Sequence, residues 1–269
     1  MFPLILDFAS INQQHHSFYN GYICGIFHVA FSGGKDSQVL LDLVKKTLPK
    51  DDFFVLFGDT GMEFPDTYDI IDKTEQQCKD EGIKFERAES HLKPQQSWEM
   101  FGPPSHVLRW CCHVHKSAPQ TLKLREITGL NDYKSLDFVG VRKYESIARS
   151  DYQYENYGKK QKGQYSHNPI LEWTSAEIWL YIYANDIIVN AAYTKGNGRA
   201  GCLLCPMSGG TSDYLRHSSY ADEIDEYTPA VFLYNRECVK RLSFARDDFT
   251  VLHIISRQTH MKHSVMYRC

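Results

Sequence analysis

The chain has 269 residues, 42% hydrophobic and 23% charged, and its 30 basic and 33 acidic residues leave a formal charge of −3. This make-up suits a globular protein with one full core and room for a small appended subdomain. It excludes a global electrostatic pull onto nucleic acid or an anionic membrane. No run reaches the length of a membrane span, and Phe2–Phe8 carries Asp7 and lacks a basic lead, so it is a poor signal peptide.

In chain order, residues 1–25, with His15 and His16, read as a lead-in. Ile26–Ala30 is an apolar strand, followed by Ser32-Gly33-Gly34-Lys35-Asp36-Ser37 and an amphipathic helix carrying Val39, Leu40, Leu43 and Val44. Asp52–Phe57 is a second buried strand ending in Gly58-Asp59-Thr60-Gly61. Pro65 opens a helix through Glu81, with Gly82 past its end. Ile83–Arg87 is a third strand, and His91–Pro104 reads as a Pro/Gly-rich loop and candidate lid. Ser117–Ile127 is helical and Leu136–Val141 is the fourth strand. Tyr152–Tyr165 is polar and tyrosine-rich, which suggests a mobile loop. Within it, Lys159-Lys160-Gln161-Lys162 is either a solvated face or a phosphate contact.

Asn168–Leu171 reads as a short strand, and Thr174-Ser175-Ala176-Glu177 is a capping box for a helix over Ile178–Asn185. From Tyr214 the pattern is helical, and Val251–Ser256 is an apolar piece of undecided type. The expected divisions are 1–25, 26–210 and a helical C-terminal region at 211–269. Strands alternating with helices predict an α/β fold with a doubly wound, mainly parallel sheet. Right-handed crossovers would bring the motifs to the carboxyl ends of strands, in one cleft.

The strand–glycine turn–helix order around Ser32–Ser37 is an anion site in the making. Glycines allow close backbone approach, and the N–H groups of a new helix point at the ligand. Lys35 adds a charge, and Ser32 and Ser37 add hydroxyls. The spacing is not that of a Walker loop.

Four of the eight cysteines form two compact groups, Cys111-Cys112 and Cys202-x-x-Cys205. Soft thiolates in a set of four suit an iron–sulfur cluster or zinc, though adjacent cysteines make an unusual zinc half-site. The remaining reading is structural or redox-active thiols. Clustered cysteines fit metal ligation in a reducing cytoplasm better than a disulfide framework. Cys24, Cys78 and Cys238 read as ordinary thiols.

From about Phe27 to Met207 the chain resembles the phosphoadenosine-phosphosulfate reductase family of the pyrophosphate-loop, or N-type ATP pyrophosphatase, superfamily. Four pieces carry the resemblance: SGGKDS at 32–37, Asp59-Thr60-Gly61-Met62-Glu63-Phe64-Pro65, Gly140-Val141-Arg142 with Glu145 and Arg149, and Asn168–Trp173 leading to GCLLCP at 201–206. The resemblance implies an adenine nucleotide α-hydrolase-like fold. Ser32, Gly33, Gly34, Lys35, Asp36 and Ser37 would hold phosphates, and Asp59 and Thr60 would lie near the nucleoside. Arg142 and Arg149 would bind a second anion, unless Arg142, Glu145 and Arg149 form a salt-bridge ladder. Asp36 either helps to hold Mg2+ or caps its helix. His113 and His115 are metal-site donors or partly buried polar residues. Cys111, Cys112, Cys202 and Cys205 would hold a [4Fe–4S] cluster.

Two departures matter. The sulfonucleotide reductases carry a degenerate loop, whereas this one is whole. They also end in a Glu-Cys-Gly-Leu-His motif, which this chain lacks; Cys269 follows Tyr267-Arg268. Both point to ATP, with Lys35, Asp36 and Arg142 as the catalytic set. The expected function is sulfur transfer or adenylation that releases AMP and pyrophosphate, as in iron–sulfur sulfurtransferases. The alternatives are a phosphoadenosine-phosphosulfate or adenylyl-sulfate reductase and a non-enzymatic nucleotide-binding regulator or defence subunit. The expected acceptor is a nucleic acid or small molecule, reached directly or through a partner protein, with the chain in a homo-oligomer or complex.

Overall fold

The computed structural model describes residues 26–105, 108–157, 163–205, 207, 215, 218–227 and 229. Residues 1–25, the basic stretch 159–162, Cys24, Cys238, Cys269 and Val251–Ser256 lie outside these, as does most of the expected C-terminal region. The described residues form two compact units interleaved along the chain. The first takes in 26–58, Tyr68–Ala88 and Gln120–Asn190; the second takes in Asp59–Thr67, Glu89–Pro119 and the described residues from Ala191 on.

The first unit is built on a six-stranded sheet of order β3-β2-β1-β4-β6-β5. Its strands are β1 (Ile26–Phe31), β2 (Phe53–Asp59), β3 (Lys84–Glu89), β4 (Ser135–Val139), β5 (Glu155–Tyr157) and β6 (Gln164–His167). Parallel pairing sets Phe31 beside Phe57, Ala30 beside Val139, and Phe138 beside His167. Only β5 runs against its neighbour, β6, among the pairs described. The fold is therefore the expected doubly wound, mainly parallel one. Its strand order reverses at β1, between β2 and β4, where such sheets open a crevice at their carboxyl ends.

The helices are α1 (Lys35–Thr47), α2 (Pro65–Glu81), α3 (Pro94–Phe101) and α4 (Ala118–Thr128), of which α3 lies where the sequence predicts a loop. They are followed by α5 (Ser175–Ala184) and α6 (Ala221–Asp225). Helix α1 is apolar on two sides. Leu40, Leu41 and Val44 pack with Val29, Phe31, Val55 and Ile71, while Val39 and Leu43 meet Ile178 and Ile182 of α5. Full burial of each such side chain contributes about 1.5–3 kcal/mol. Phe54, Leu56, Leu124 and Tyr133 form a further cluster. The Thr174–Glu177 box forms as the sequence predicts, with the Thr174 hydroxyl accepting from the Glu177 N–H at 3.2 Å.

Three expectations need correction. The 91–104 loop contains α3, entered through Pro94 and ended at Gly102 with φ 80°. The tyrosine-rich segment supplies β5 and the start of β6, so it extends the sheet at its edge. Asn168–Leu171 is not a strand; Leu171 N–H and Trp173 N–H close turns onto the Asn168 and Ile170 carbonyls. Ile170 and Leu171 are apolar because the turn is buried.

Gly140 follows β4 and lets it lie against the first turn of α1. A Cβ there would stand 3.0 Å from the Asp36 carbonyl oxygen and 3.3 Å from the Ser37 nitrogen. Gly140→Ala is expected to force that backbone apart and cost about 1–3 kcal/mol, read as a lower urea midpoint.

His28 of β1 sits opposite Asp137 of β4 in register, with Nε2 3.3 Å from Oδ1. The Ser135 hydroxyl donates to the same oxygen at 3.1 Å, and the His28 ring stacks on Phe54. Burial pushes Asp137 up to about 7 from 3.8 and His28 down to about 3 from 6.5. Between about pH 4 and 6.5 the folded chain keeps this proton on Asp137 and the unfolded chain keeps it on His28, so the pair adds little slope to stability. The single variants should expose the two halves. In Asp137→Asn the remaining His28 makes stability rise with pH from about 3 to 6.5. In His28→Phe the remaining Asp137 makes it fall from about 3.8 to about 7. Denaturation midpoints across that range check both signs.

Candidate nucleotide and thiol sites

The loop after β1 is wound tightly. Gly33 adopts φ 68°, a region open to glycine, and Gly34 is extended as the N-cap of α1. The Ser37 hydroxyl donates to the Gly34 carbonyl at 2.8 Å and lies 3.3 Å from the Ser32 N–H and 3.2 Å from the Ser32 hydroxyl. Asn190, buried, donates its amide to the Gly33 carbonyl at 3.2 Å. Asn190 is a positioning residue that the sequence did not signal; 157 positions separate it from the loop.

Charge at this loop alternates. Lys35 Nζ lies 2.9 Å from Asp36 Oδ2, and Arg142 Nε lies 2.6 Å from Asp36 Oδ1. Arg142 also donates to the Trp173 carbonyl at 3.4 Å and faces Glu145 at 3.8 Å; Glu145 pairs in turn with Arg149. Lys35 and Arg142 are only 7% and 4% exposed, so these charges are held by their partners rather than by water. Ser32–Ser37, Arg142 and Arg149 thus come together in the first unit, with three cations against two carboxylates and the N-terminus of α1 among them. Arg142, Glu145 and Arg149 form the salt-bridge ladder that the sequence offers as the alternative to the anion-site reading.

Asp59 and Thr60 belong to the second unit, with the cysteines. Asp59 accepts from the Gly61 N–H at 2.8 Å, and the Thr60 hydroxyl donates to Glu63 Oε1 at 2.9 Å. Glu63 and Cys202 form an antiparallel bridge, and the Leu203 N–H donates to the Met62 carbonyl at 2.7 Å. The Cys202 thiol donates to Glu63 Oε1 at 3.7 Å. The DTGMEF turn is therefore stitched to the GCLLC turn.

The cysteine pair Cys111-Cys112 enters on a helical turn, Trp110–Cys112, which continues as a π-helical stretch, His113–Ser117, before α4. Cys111 and Cys202 pack in one apolar cluster with Met62, Trp98, Trp110 and Tyr227. Cys112 is drawn down to about 5, mainly by the neighbouring Cys111 thiol, against burial, with help from Arg109. Arg109 Nη2 donates to Cys112 Sγ at 3.3 Å. The bond to Cys112 and burial push Cys111 up; burial, then the charge of Glu63, does the same to Cys202. Burial also raises Glu63, against the charge of Lys116.

None of the five described cysteines is in a disulfide. No three His, Cys, Asp or Glu side chains among the described residues stand in metal-holding geometry. The donor set itself suits a thiolate-bound group: four soft sulfurs in one unit, one already biased to thiolate, with Arg109 and Lys116 acting on them. His115 is buried, with Nε2 2.8 Å from the Ser97 hydroxyl, so it is a tied structural histidine. Cys78 is buried in the first unit's core, pushed up to about 11 by burial. Among the described residues, no helix is long and apolar enough to cross a membrane.

Comparison with known proteins agrees with this geometry. An uncharacterised protein of Methanocaldococcus jannaschii is 34% identical over 82% of this chain and 49% of its own, so the chain spans about half the length of that relative. An adenosine 5'-phosphosulfate reductase of Geobacillus kaustophilus is 28% identical over 72% of this chain and 78% of that protein. The phosphoadenylyl-sulfate reductase of Candida auris, solved with phosphate, superposes with a TM-score of 0.51 at 18% identity, covering 72% of this chain and 87% of that one, which shows the shared fold. Residues 26–208 match the phosphoadenosine phosphosulfate reductase domain, and with most of the chain inside that match the protein belongs to the phosphoadenosine phosphosulfate reductase family.

Proposed function

We propose that the chain is an ATP-dependent enzyme that releases AMP and pyrophosphate in a sulfur-transfer or adenylation reaction, with a [4Fe–4S] cluster at its four cysteines. One observation carries the nucleotide half: the intact SGGKDS loop, at the sheet's switch point, holds Lys35 and Arg142 on opposite oxygens of a single carboxylate. Phosphates laid on this loop meet the N-terminal N–H groups of α1 and the Lys35 ammonium. An acceptor atom attacks the α-phosphorus, the bond from that phosphorus to the bridging oxygen breaks, and the electron pair leaves with pyrophosphate. In this reading Lys35 and Arg142 oppose the charge that develops, and Asp36, paired with both, keeps the cations in register. Mg2+ accompanying ATP would neutralise the phosphates further, and Asp59 and Thr60 are the proposed nucleoside contacts.

Cys111, Cys112, Cys202 and Cys205 would hold the cluster, which when bound supplies iron able to carry sulfur. Arg109 and Lys116 lower the cost of collecting four thiolates. A cytoplasmic location, a nucleic-acid or small-molecule acceptor and an oligomeric assembly go with this reading. The reductase alternative is favoured by the adenosine 5'-phosphosulfate reductase relatives; the intact loop weighs against it.

Two experiments test the proposal. With Mg2+-ATP and an acceptor-containing cell fraction, the protein should form AMP and pyrophosphate, and Lys35→Ala should lower the rate by about 100-fold or more at nearly unchanged stability. ADP with orthophosphate would contradict the assigned bond cleavage. Sulfite from phosphoadenosine phosphosulfate and thioredoxin would instead establish the reductase.

For the thiol site, anaerobically purified protein should be brown, with about four irons per chain. Cys202→Ser should lose most of that iron and Cys78→Ser none. Colourless protein with stoichiometric zinc would overturn the cluster assignment.

A further inference from the structure

The side chains around the cysteines contain two donors that the thiols alone do not explain. Trp98 and Trp110 both bury their indole nitrogens, and neither nitrogen has a hydrogen-bond partner among the described residues. Both rings belong to the apolar cluster that contains Cys111 and Cys202. Their placement is fixed by aromatic neighbours: Trp98 lies 5.3 Å from Tyr227, and Trp110 lies 5.3 Å from Phe101 and 6.0 Å from His115, between ring centroids. Trp98 is only 4% exposed, so solvent does not satisfy it.

An indole is a donor with no acceptor capacity, and a buried N–H left unpaired is costly. Two such orphans in one cluster call for an acceptor that arrives with a ligand. Its charge follows from the remaining neighbours. Arg109 already donates to Cys112, and the charge of Lys116 acts on Cys112, Cys202 and Glu63. Two unpartnered donors thus share a cluster with Cys111 and Cys202, and two cations act on the thiols, which suits an anionic, sulfur-rich group and is more than four neutral thiols require.

We infer that the indole N–H groups of Trp98 and Trp110 donate to the sulfur of a metal-bound thiolate or sulfide group at the cysteine site, an inference that rests on the metal-site reading above. The two tryptophans are positioning and tuning residues. N–H···S bonds withdraw charge from the sulfurs and favour the more reduced state of an iron–sulfur centre, so they raise its reduction potential.

The test uses the full chain, purified anaerobically, with Trp98→Phe and Trp110→Phe, which keep a ring in each aromatic stack. Iron content should stay at the wild-type level. The reduction potential should shift downward, and exchangeable-proton couplings to the reduced centre, compared in H2O and D2O by electron–nuclear double resonance, should be lost. A merely structural role would move neither. Unchanged potential and couplings in both variants, with iron retained, would overturn the inference while leaving the cluster reading intact. If the wild type instead holds zinc, the cluster reading fails and the indoles are judged on zinc: several-fold faster loss to a chelator in the variants supports them, and an unchanged rate refutes them. Where a Phe variant does not fold, the sulfur isostere of tryptophan, which keeps the ring shape and lacks the N–H, carries the same expectations.

Discussion

The pairing of Asp36 with Arg142 is the constraint on which the loop after β1 depends. The two residues are 106 positions apart, and both sit in surroundings that shield them from water. A guanidinium buried that far has lost most of its hydration, and it is tolerable only with its partners in place. Arg142 has three: Asp36, Glu145 and the Trp173 carbonyl. Each comes from a different piece of the first unit. Parallel pairing of β1 with β4 brings the two strand ends side by side, and Gly140 removes the Cβ that would hold them apart. The turn around Asn168–Trp173 then supplies the carbonyl and, through Leu171, anchors the Lys143 N–H. An ordinary-looking motif such as Gly140-Val141-Arg142 is thereby a single device: the glycine sets the distance that the arginine exploits.

The second unit solves a different problem. Thiolates repel one another and resist burial, so neighbouring cysteines need compensation before they ionise. Here the compensation is uneven. Cys112 accepts from Arg109; Cys202 has a carboxylate neighbour and is held toward the neutral form. The Glu63–Cys202 bridge makes the backbone of one turn the template of the other. Asp66 accepts from both Lys195 and the Tyr220 hydroxyl, at 2.6 Å each, within the same unit.

Elements with strong local chemistry were legible without coordinates. Pro65 and Gly82 bracket α2, and Thr174 with Glu177 opens α5, because cap and breaker residues act on their own few neighbours. The failures share a cause. Ile170 and Leu171 resemble a strand in sequence because their burial makes an apolar run, and apolar runs do not state their backbone. The tyrosine-rich segment looked unstructured because β5 and β6 lack a strong alternation, and their pairing comes from the sheet edge. Helix α3 was hidden by prolines and a glycine that turned out to be its borders.

The sequence by itself determined the chemistry available: a glycine turn with a lysine after a strand, arginines after a later strand, and two pairs of thiols. Those follow from residue type and short spacing, and they sufficed to point to the family. Only the tertiary structure decided how the charges are shared, that Asp36 stands between Lys35 and Arg142, that Asn190 braces Gly33, and that Trp98 and Trp110 share a cluster with Cys111 and Cys202 while their buried indole nitrogens lack partners among the described residues. Such relations join residues tens to more than a hundred positions apart, and no local pattern encodes them. They exist because strand register and close packing bring distant groups to hydrogen-bonding distance, where burial makes each partner necessary.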